Sequence, residues 1–432
     1  MSSKGWKQDM TVYDRPGWNS FTYGFPHWGA IRKCDDEIII RFDVADASGI
    51  NDDFYCEHYD SVTLASRDRG RTWRHLDIDW QKTVPQRFAD GTLVGMSDAR
   101  ALRSRPEQRA RLDELGLSHL WHDDVLLSWD LWPSAMADEL RAKGMLLWDR
   151  PIGPTPNHVL LPEGTVATHA PGSLVALRST DGAATWTRHT VEGIEQHYAH
   201  FGPCAAGSVV LPDDTLLVPC YGIRQGESDP KRFTLRGAEI FALRSEDTGC
   251  TFERIIVGSI PNVALNEACL VYHPPSGDVV ATIRGEEVHV SRSSDGGRTW
   301  SPPQSTGIRD AYPLHTICLA SGALLCTHAH RVFPGGIRAT MSHDGGKTWD
   351  LAEQKILRDD VLPSSYIGGT GSVQLDDGAI FTFYNLVKPE GVKPEDRVEL
   401  DQPLTLHPRW HCYIAASLYS EDFVRPLGAD SR

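Results

Sequence analysis

Four kinds of chemically active side chain recur at the ends of short apolar runs. The imidazoles are His27, His169, His200 and His330; the carboxylates are Asp43 and Glu267. The guanidiniums are Arg224, Arg284 and Arg331; the phenols are Tyr221, Tyr366 and Tyr384. Together they offer proton donors and acceptors, a nucleophile, and planar forks that match a carboxylate. That set suits cleavage of an acidic sugar. In an elimination, Arg284 or Arg331 neutralises the uronate carboxylate, His27 takes the proton at C5, and Tyr366 or Tyr221 protonates the leaving oxygen. In a hydrolysis, Glu267 works with Tyr366, helped by Asp43 or Asp53. His330 is a further candidate acid or base, and His200, His169, Arg224 and Tyr384 read as sugar-binding groups. A single histidine of this kind is as readily a packed residue as a functional one. The clustering carries the argument.

The elements that position these groups announce themselves by repetition. Five octads share one pattern: Ser66–Trp73, Ser179–Trp186, Ser245–Phe252, Ser293–Trp300 and Ser342–Trp349. Ser293-Ser-Asp-Gly-Gly-Arg-Thr-Trp300 is a full example. Each follows a β-branched or apolar run such as Val62-Thr-Leu-Ala65. The chemistry is that of a tight hairpin: Asp accepts backbone N–H groups, Gly supplies positive φ, Thr starts the return strand. The aromatic residue then packs between neighbouring sheets.

Asp247, Asp295 and Asp344 recur at about fifty residues, the length of a four-stranded propeller blade. From Asp68 to Asp181 the interval is double, so a blade without a box is expected over 86–148. A final blade without a box begins at Ile367. The fold expectation is all-β: a single propeller domain over 1–432, seven-bladed, with six blades as the alternative if 86–186 forms one elaborated blade. Thr11-Val-Tyr13 is expected to close the ring as an edge strand of the last blade. Stretches near 99–117 and 134–143 are rich in Arg, Glu, Ala and Leu and read as helical insertions. They are rim decoration or, alternatively, a lid or dimer contact. In this geometry the octads lie on one face. The starts of first strands and ends of second strands meet at the axis on the other. His27, His200, Glu267, His315 and Tyr366 fall at such starts. Asp43, Asp98, His169, Tyr221, Arg224, Arg284, His328, His330, Arg331 and Tyr384 fall at such ends.

The octads resemble the Asp-box repeat of sialidases and their relatives, over nearly the whole chain. The resemblance implies a structural role for the boxes. It also implies an arginine triad for a substrate carboxylate, a Tyr–Glu nucleophilic pair and an Asp acid/base. Asn266-Glu267…Arg284 matches the Glu-then-Arg spacing, and Tyr366 and Tyr384 lie in the Tyr-bearing final blade. The sequence departs from sialidases at Phe25-Pro26-His27-Trp28, where His27 stands in place of the first arginine. Asp52 and Asp53 lie in the acid/base loop without a clean register, and His328-Ala-His330-Arg331 has no sialidase counterpart. Similarity extends to seven-bladed enzymes that cleave terminal rhamnose from glucuronate through one N-terminal histidine, whose place His27 takes.

A net charge of −15 over 432 residues argues against nucleic acid as a partner, since phosphate binding needs a basic surface. No apolar run reaches membrane-spanning length, and the N-terminal residues carry no apolar signal core. The expected location is cytoplasmic, the expected partner an acidic oligosaccharide, with a homo-oligomer left open. Of nine cysteines, Cys204, Cys220, Cys269, Cys318 and Cys326 lie in or beside apolar runs and read as buried thiols. No cofactor is expected. His328 and His330 point one way on a strand, as metal ligands would, but no third ligand is fixed, so no metal is assigned. The competing function is a non-catalytic binding propeller, which favours an aromatic, apolar mouth over a charged one.

Overall fold

Each octad folds as the tight turn its composition requires. In the computed structural model the Ser293 hydroxyl donates to Asp295 Oδ1 at 2.7 Å and accepts from the Gly297 N–H at 2.8 Å. The Thr299 N–H and hydroxyl donate to the two oxygens of Asp295 at 2.9 and 2.6 Å. The other four boxes repeat these bonds around Asp68, Asp181, Asp247 and Asp344. The structure describes residues 5–21, 30–46, 59–78, 85–100, 110, 113–114, 116, 118, 129–142, 147–148, 164–169, 172–224, 236–332, 335–361, 367–389 and 410–425.

The strands form six blades. β1 (Lys7–Tyr13) belongs to the last blade and closes the ring. Blade 1 holds β2 (Trp18–Phe21), β3 (Ile31–Cys34), β4 (Glu37–Asp46), β5 (Tyr59–Ser66) and β6 (Arg74–His75). β2 and β3 both pair with β4 as one interrupted inner strand. Blade 2 begins with β7 (Gln86–Arg87) and β8 (Leu93–Arg100). An insertion follows: β9 (Trp129–Pro133), α1 (Ala137–Ala142), β10 (Leu147–Trp148) and β11 (Thr165–His169). β12 (Gly172–Ser179) and β13 (Thr187–Val191) then complete the blade.

Blade 3 is β14 (Tyr198–Pro203), β15 (Val209–Val210), β16 (Leu216–Arg224), β17 (Glu239–Ser245) and β18 (Glu253–Gly258). Blade 4 is β19 (Asn266–His273), β20 (Asp278–Arg284), β21 (Glu287–Ser293) and β22 (Gln304–Arg309). Blade 5 is β23 (Ala311–Cys318), β24 (Leu324–His330), β25 (Gly336–Ser342) and β26 (Lys355–Arg358). Blade 6 is β27 (Gly368–Gln374), β28 (Ile380–Pro389) and β29 (Trp410–Tyr419), with β1 paired to β29 from Lys7↔Tyr419 to Tyr13↔Ile414. The first and last strands thus share a sheet, as expected.

The expected seventh blade is absent. Residues 86–100 are the first half of blade 2, and β9–β11 form a separate three-stranded sheet inserted between β8 and β12. The six-bladed alternative, with one elaborated blade over 86–186, is the fold. The helix expected near 134–143 is α1 with the short turn before it. Most of 99–117 lies outside the described residues.

Every box is the link between the third and fourth strands of its blade, so all five share one face. Each also seats on the blade before it. Trp73 packs on Phe381 of blade 6, ring centroids 5.9 Å apart. Trp186 joins Ile39 and Ala65 of blade 1; Phe252, Trp300 and Trp349 join the layers shared with blades 2, 3 and 4. At the box glycine the fit is tight: a Cβ on Gly297 would lie 2.7 Å from Leu217 of blade 3. Cys204, Cys220, Cys269 and Cys326 are buried free thiols, and Cys318 is half-buried. Burial pushes the thiols of Cys326 and Cys269 up to about 12 and about 11.

Candidate active site

On the face opposite the boxes, the ends of β16, β20 and β24 sit at equivalent levels: Arg224 pairs with Tyr198, Arg284 with Asn266, and His330 with Ala311. Just beyond each pair the inner strand bulges. β14 slips between Tyr198 and His200, β19 between Asn266 and Ala268, β23 between Ala311 and Leu314, β27 between Gly368 and Gly371. A bulge bends a strand and re-aims a side chain. In blades 4 and 5 the bulged residues are Glu267 and Tyr312.

Glu267 has φ +25°, a conformation that non-glycine residues seldom adopt. It accepts a hydrogen bond from the Arg284 guanidinium in a nearly buried ion pair. The Arg284 guanidinium carbon lies 4.7 Å from the centre of the Tyr312 ring. Arg331, almost fully buried just past β24, lies 5.8 Å from the same centre, and its Nε donates to the Ile367 carbonyl at 3.2 Å. Burial raises the Tyr312 hydroxyl above its ordinary pKa, while Arg284 opposes that shift. One carboxylate, two guanidiniums and one phenol therefore meet where blades 4 and 5 adjoin. A guanidinium fork there suits a planar anion.

A second cluster lies at the same level of blade 3. Glu239, buried at the start of β17, takes hydrogen bonds from the Tyr198 hydroxyl and from Arg224. Arg254 reaches the Tyr198 oxygen at 3.1 Å and Glu239 at 3.5 Å. Tyr198 stacks on Phe241 with centroids 4.6 Å apart. Arg224 is thus engaged by Glu239, with its side chain half exposed. Two arginines around one buried carboxylate make this chiefly a structural lock.

Several sequence-derived candidates lie elsewhere. Tyr384 is fully buried between blades 5 and 6, its hydroxyl 2.6 Å from Ser417 Oγ, so it is core and not a sugar-binding group. Tyr221 is buried in the apolar layer between blades 3 and 4, which leaves it no place at a sugar or a leaving oxygen. Asp43 is fully buried and accepts from the Ser61 hydroxyl at 2.6 Å, a packed carboxylate and not an open one. His315 lies inside the channel wall, accepting the Ser372 N–H at 3.2 Å. Burial holds its pKa down at about 3. His328 is buried with its Nδ1 3.3 Å from the Ala329 carbonyl oxygen, and burial lowers the pKa of its imidazole to about 4. His330 is half-buried near Arg338 and Asp310; burial first, then Arg338, lowers its pKa. Among the described residues no three His, Cys, Asp or Glu side chains converge to hold a metal. His27, Tyr366, Asp52 and Asp53 lie outside the described residues, as do the side chains of His169, His200 and Asp98.

Tyr312, Tyr198, Glu239 and Arg254 were not singled out from sequence. Tyr312 carried a signal: an aromatic before proline at the head of an inner strand, in Ala311-Tyr312-Pro313.

A family profile described as a BNR repeat-like domain matches residues 163–332. No curated protein matches the sequence. Among solved structures, a protein of unknown function from Dyadobacter fermentans superposes with a TM-score of 0.63 at 18% identity, covering 96% of this chain and 99% of that one. The NanB sialidase of Streptococcus pneumoniae, in complex with a chlorobenzylammonio-ethanesulfonate, gives 0.52 at 12% identity, covering 96% and 69%. A variant of the same sialidase gives 0.51. The fold is that of the BNR-repeat, sialidase-like β-propellers, at low sequence identity to sialidases. Within that fold this chain is a six-bladed form with a three-stranded insertion in its second blade.

Proposed function

We propose that this protein is an exo-acting glycan-cleaving enzyme for a terminal linkage of an anionic sugar, a uronate or a sialate. The observation that carries the reading is Arg284, held by Glu267 on one side and by the Tyr312 ring on another, with Arg331 beside the same ring. A guanidinium placed this way offers a carboxylate two parallel N–H donors at a fixed site. In this reading Arg284 and Arg331 bind the sugar carboxylate, and Glu267 keeps Arg284 aimed before substrate arrives. The proton-transfer groups are His27 and Tyr366.

The test is a panel of uronate-capped and sialylated oligosaccharides with their neutral counterparts. Elimination gives an unsaturated uronate with its ultraviolet absorption; hydrolysis gives free acid and a new end without it. Turnover of acidic but not neutral members supports the reading. Binding of an acidic member without turnover leaves a non-catalytic binding propeller, and binding of none sinks both.

A further inference from the structure

Tyr312 stands where two blades each bring an arginine. Arg284 comes from the end of β20 in blade 4 and Arg331 follows β24 in blade 5. Regular pairing would not present this ring there. β23 pairs with β24 at Ala311↔His330 and resumes only at Leu314↔His328, so Tyr312 and Pro313 are looped out.

The backbone at this bulge is fixed from several sides. Asp310 precedes it at φ +55°, and Pro313 restricts Tyr312 itself to extended conformations. Gly368 of β27, at φ +125°, packs so close that a Cβ would meet the Tyr312 carbonyl at 2.8 Å and Pro313 Cδ at 2.9 Å. Two guanidiniums near one another repel. An aromatic face attracts each and brings no negative charge of its own. A ring stacked on the face of a guanidinium leaves free the in-plane donors that a carboxylate needs.

We infer that Tyr312 is a positioning residue whose ring yokes Arg284 and Arg331, from adjacent blades, into one two-armed clamp for a sugar carboxylate. The inference rests on the reading of the mouth as an anionic-sugar site. The ring is the working part; the hydroxyl is not required for the clamp.

The experiment uses the full chain and two readouts. The first is the arginine side-chain Nε–H signals by nuclear magnetic resonance, assigned with Arg284→Lys and Arg331→Lys. Both should be displaced by the ring current in the wild type and in Tyr312→Phe, and both should relax in Tyr312→Leu. The second is calorimetric affinity for D-glucuronate and N-acetylneuraminate, with D-glucose as the neutral control. Tyr312→Phe should bind the acid within about twofold of wild type, and Tyr312→Leu about tenfold more weakly. Should the leucine variant not fold, Tyr312→Met is the second ringless variant. Signals unmoved by loss of the ring overturn the role of Tyr312 alone. Tyr312→Phe falling as far as Tyr312→Leu also overturns it, by moving the role to the hydroxyl. A wild type that binds neither acid overturns the anionic-sugar reading and the clamp with it.

Discussion

Glu267 reaches Arg284 because it is out of register: Asn266 takes the strand pairing opposite Arg284, and the bulge frees the next residue to turn its carboxylate onto the guanidinium. An arginine at the end of β20 thereby gains a partner from its own hairpin. Arg284→Lys keeps the charge and loses the fork, so affinity for a carboxylate sugar should fall about tenfold or more. The thermal midpoint should hardly move. Glu267→Ala instead leaves Arg284 nearly buried without that partner and should cost about 1–3 kcal/mol. Calorimetry on the two variants separates the effects; equal affinity for Arg284→Lys and wild type would remove Arg284 from the site.

The box glycines give a second expectation. Gly297 has φ +83° and faces fully buried Leu217. Gly297→Ala combines backbone strain with overpacking and should destabilise by about 2 kcal/mol or more. The second box already carries alanine there: Ala183 holds φ +75° and packs with Ile39 and Ala65. Urea melts showing Gly297→Ala unchanged would mean that the box is looser than its packing implies.

Stability should fall with acid in two windows. His315 and His328 are held neutral by burial, with lesser contributions from Arg32 and from His330 and Arg338. They bind fewer protons folded than unfolded. The stability they contribute is complete above about 6.5 and declines as pH drops toward about 4 for His328 and about 3 for His315. Asp181 has the same sign lower down. Hydrogen bonds from the Thr185 hydroxyl and N–H hold it at about 2, so its contribution is present above 3.8 and lost toward 2. Melting temperatures against pH should show both declines. His328→Gln should shallow the first and leave the second.

β1 is the outermost strand of blade 6, tied by the Ser417 hydroxyl to Asp9 at 2.6 Å and by the Lys7 ammonium to the Leu357 carbonyl at 2.6 Å. Deleting the chain through Tyr13 bares the length of β29 as an open edge. The truncated protein should melt well below the full chain and self-associate, as light scattering would register. A monomer of full stability would mean that the closing strand is dispensable.

What the sequence disclosed follows from which patterns are local. The boxes were legible because Ser, Asp, Gly, Thr and Trp each answer a need within one turn. The blade count was not: Trp129–Pro133 and Leu147–Trp148 are genuine strands, and periodicity cannot tell a strand of a blade from one in an insertion. The mouth was partly legible. Arg284 and Glu267 lie together as their spacing suggested. Tyr384 was displaced by the two-residue period of a strand, for its neighbour Asn385, not Tyr384, pairs with Gly368 at the mouth end. Tyr312 was hidden by its bulge, which moves every later residue of β23 off the count that named His315.

The seating of each box on the blade behind it gives the ring a hand. Viewed from that side, all five latches point the same way round, from Trp73 on blade 6 to Trp349 on blade 4. A blade transplanted elsewhere would bring its own latch and have to borrow a seat. A whole repeat gained or lost keeps every latch supplied, whereas half a repeat strands one. The added length of β9–β11 enters instead between β8 and β12, away from the turn that carries the box of that blade.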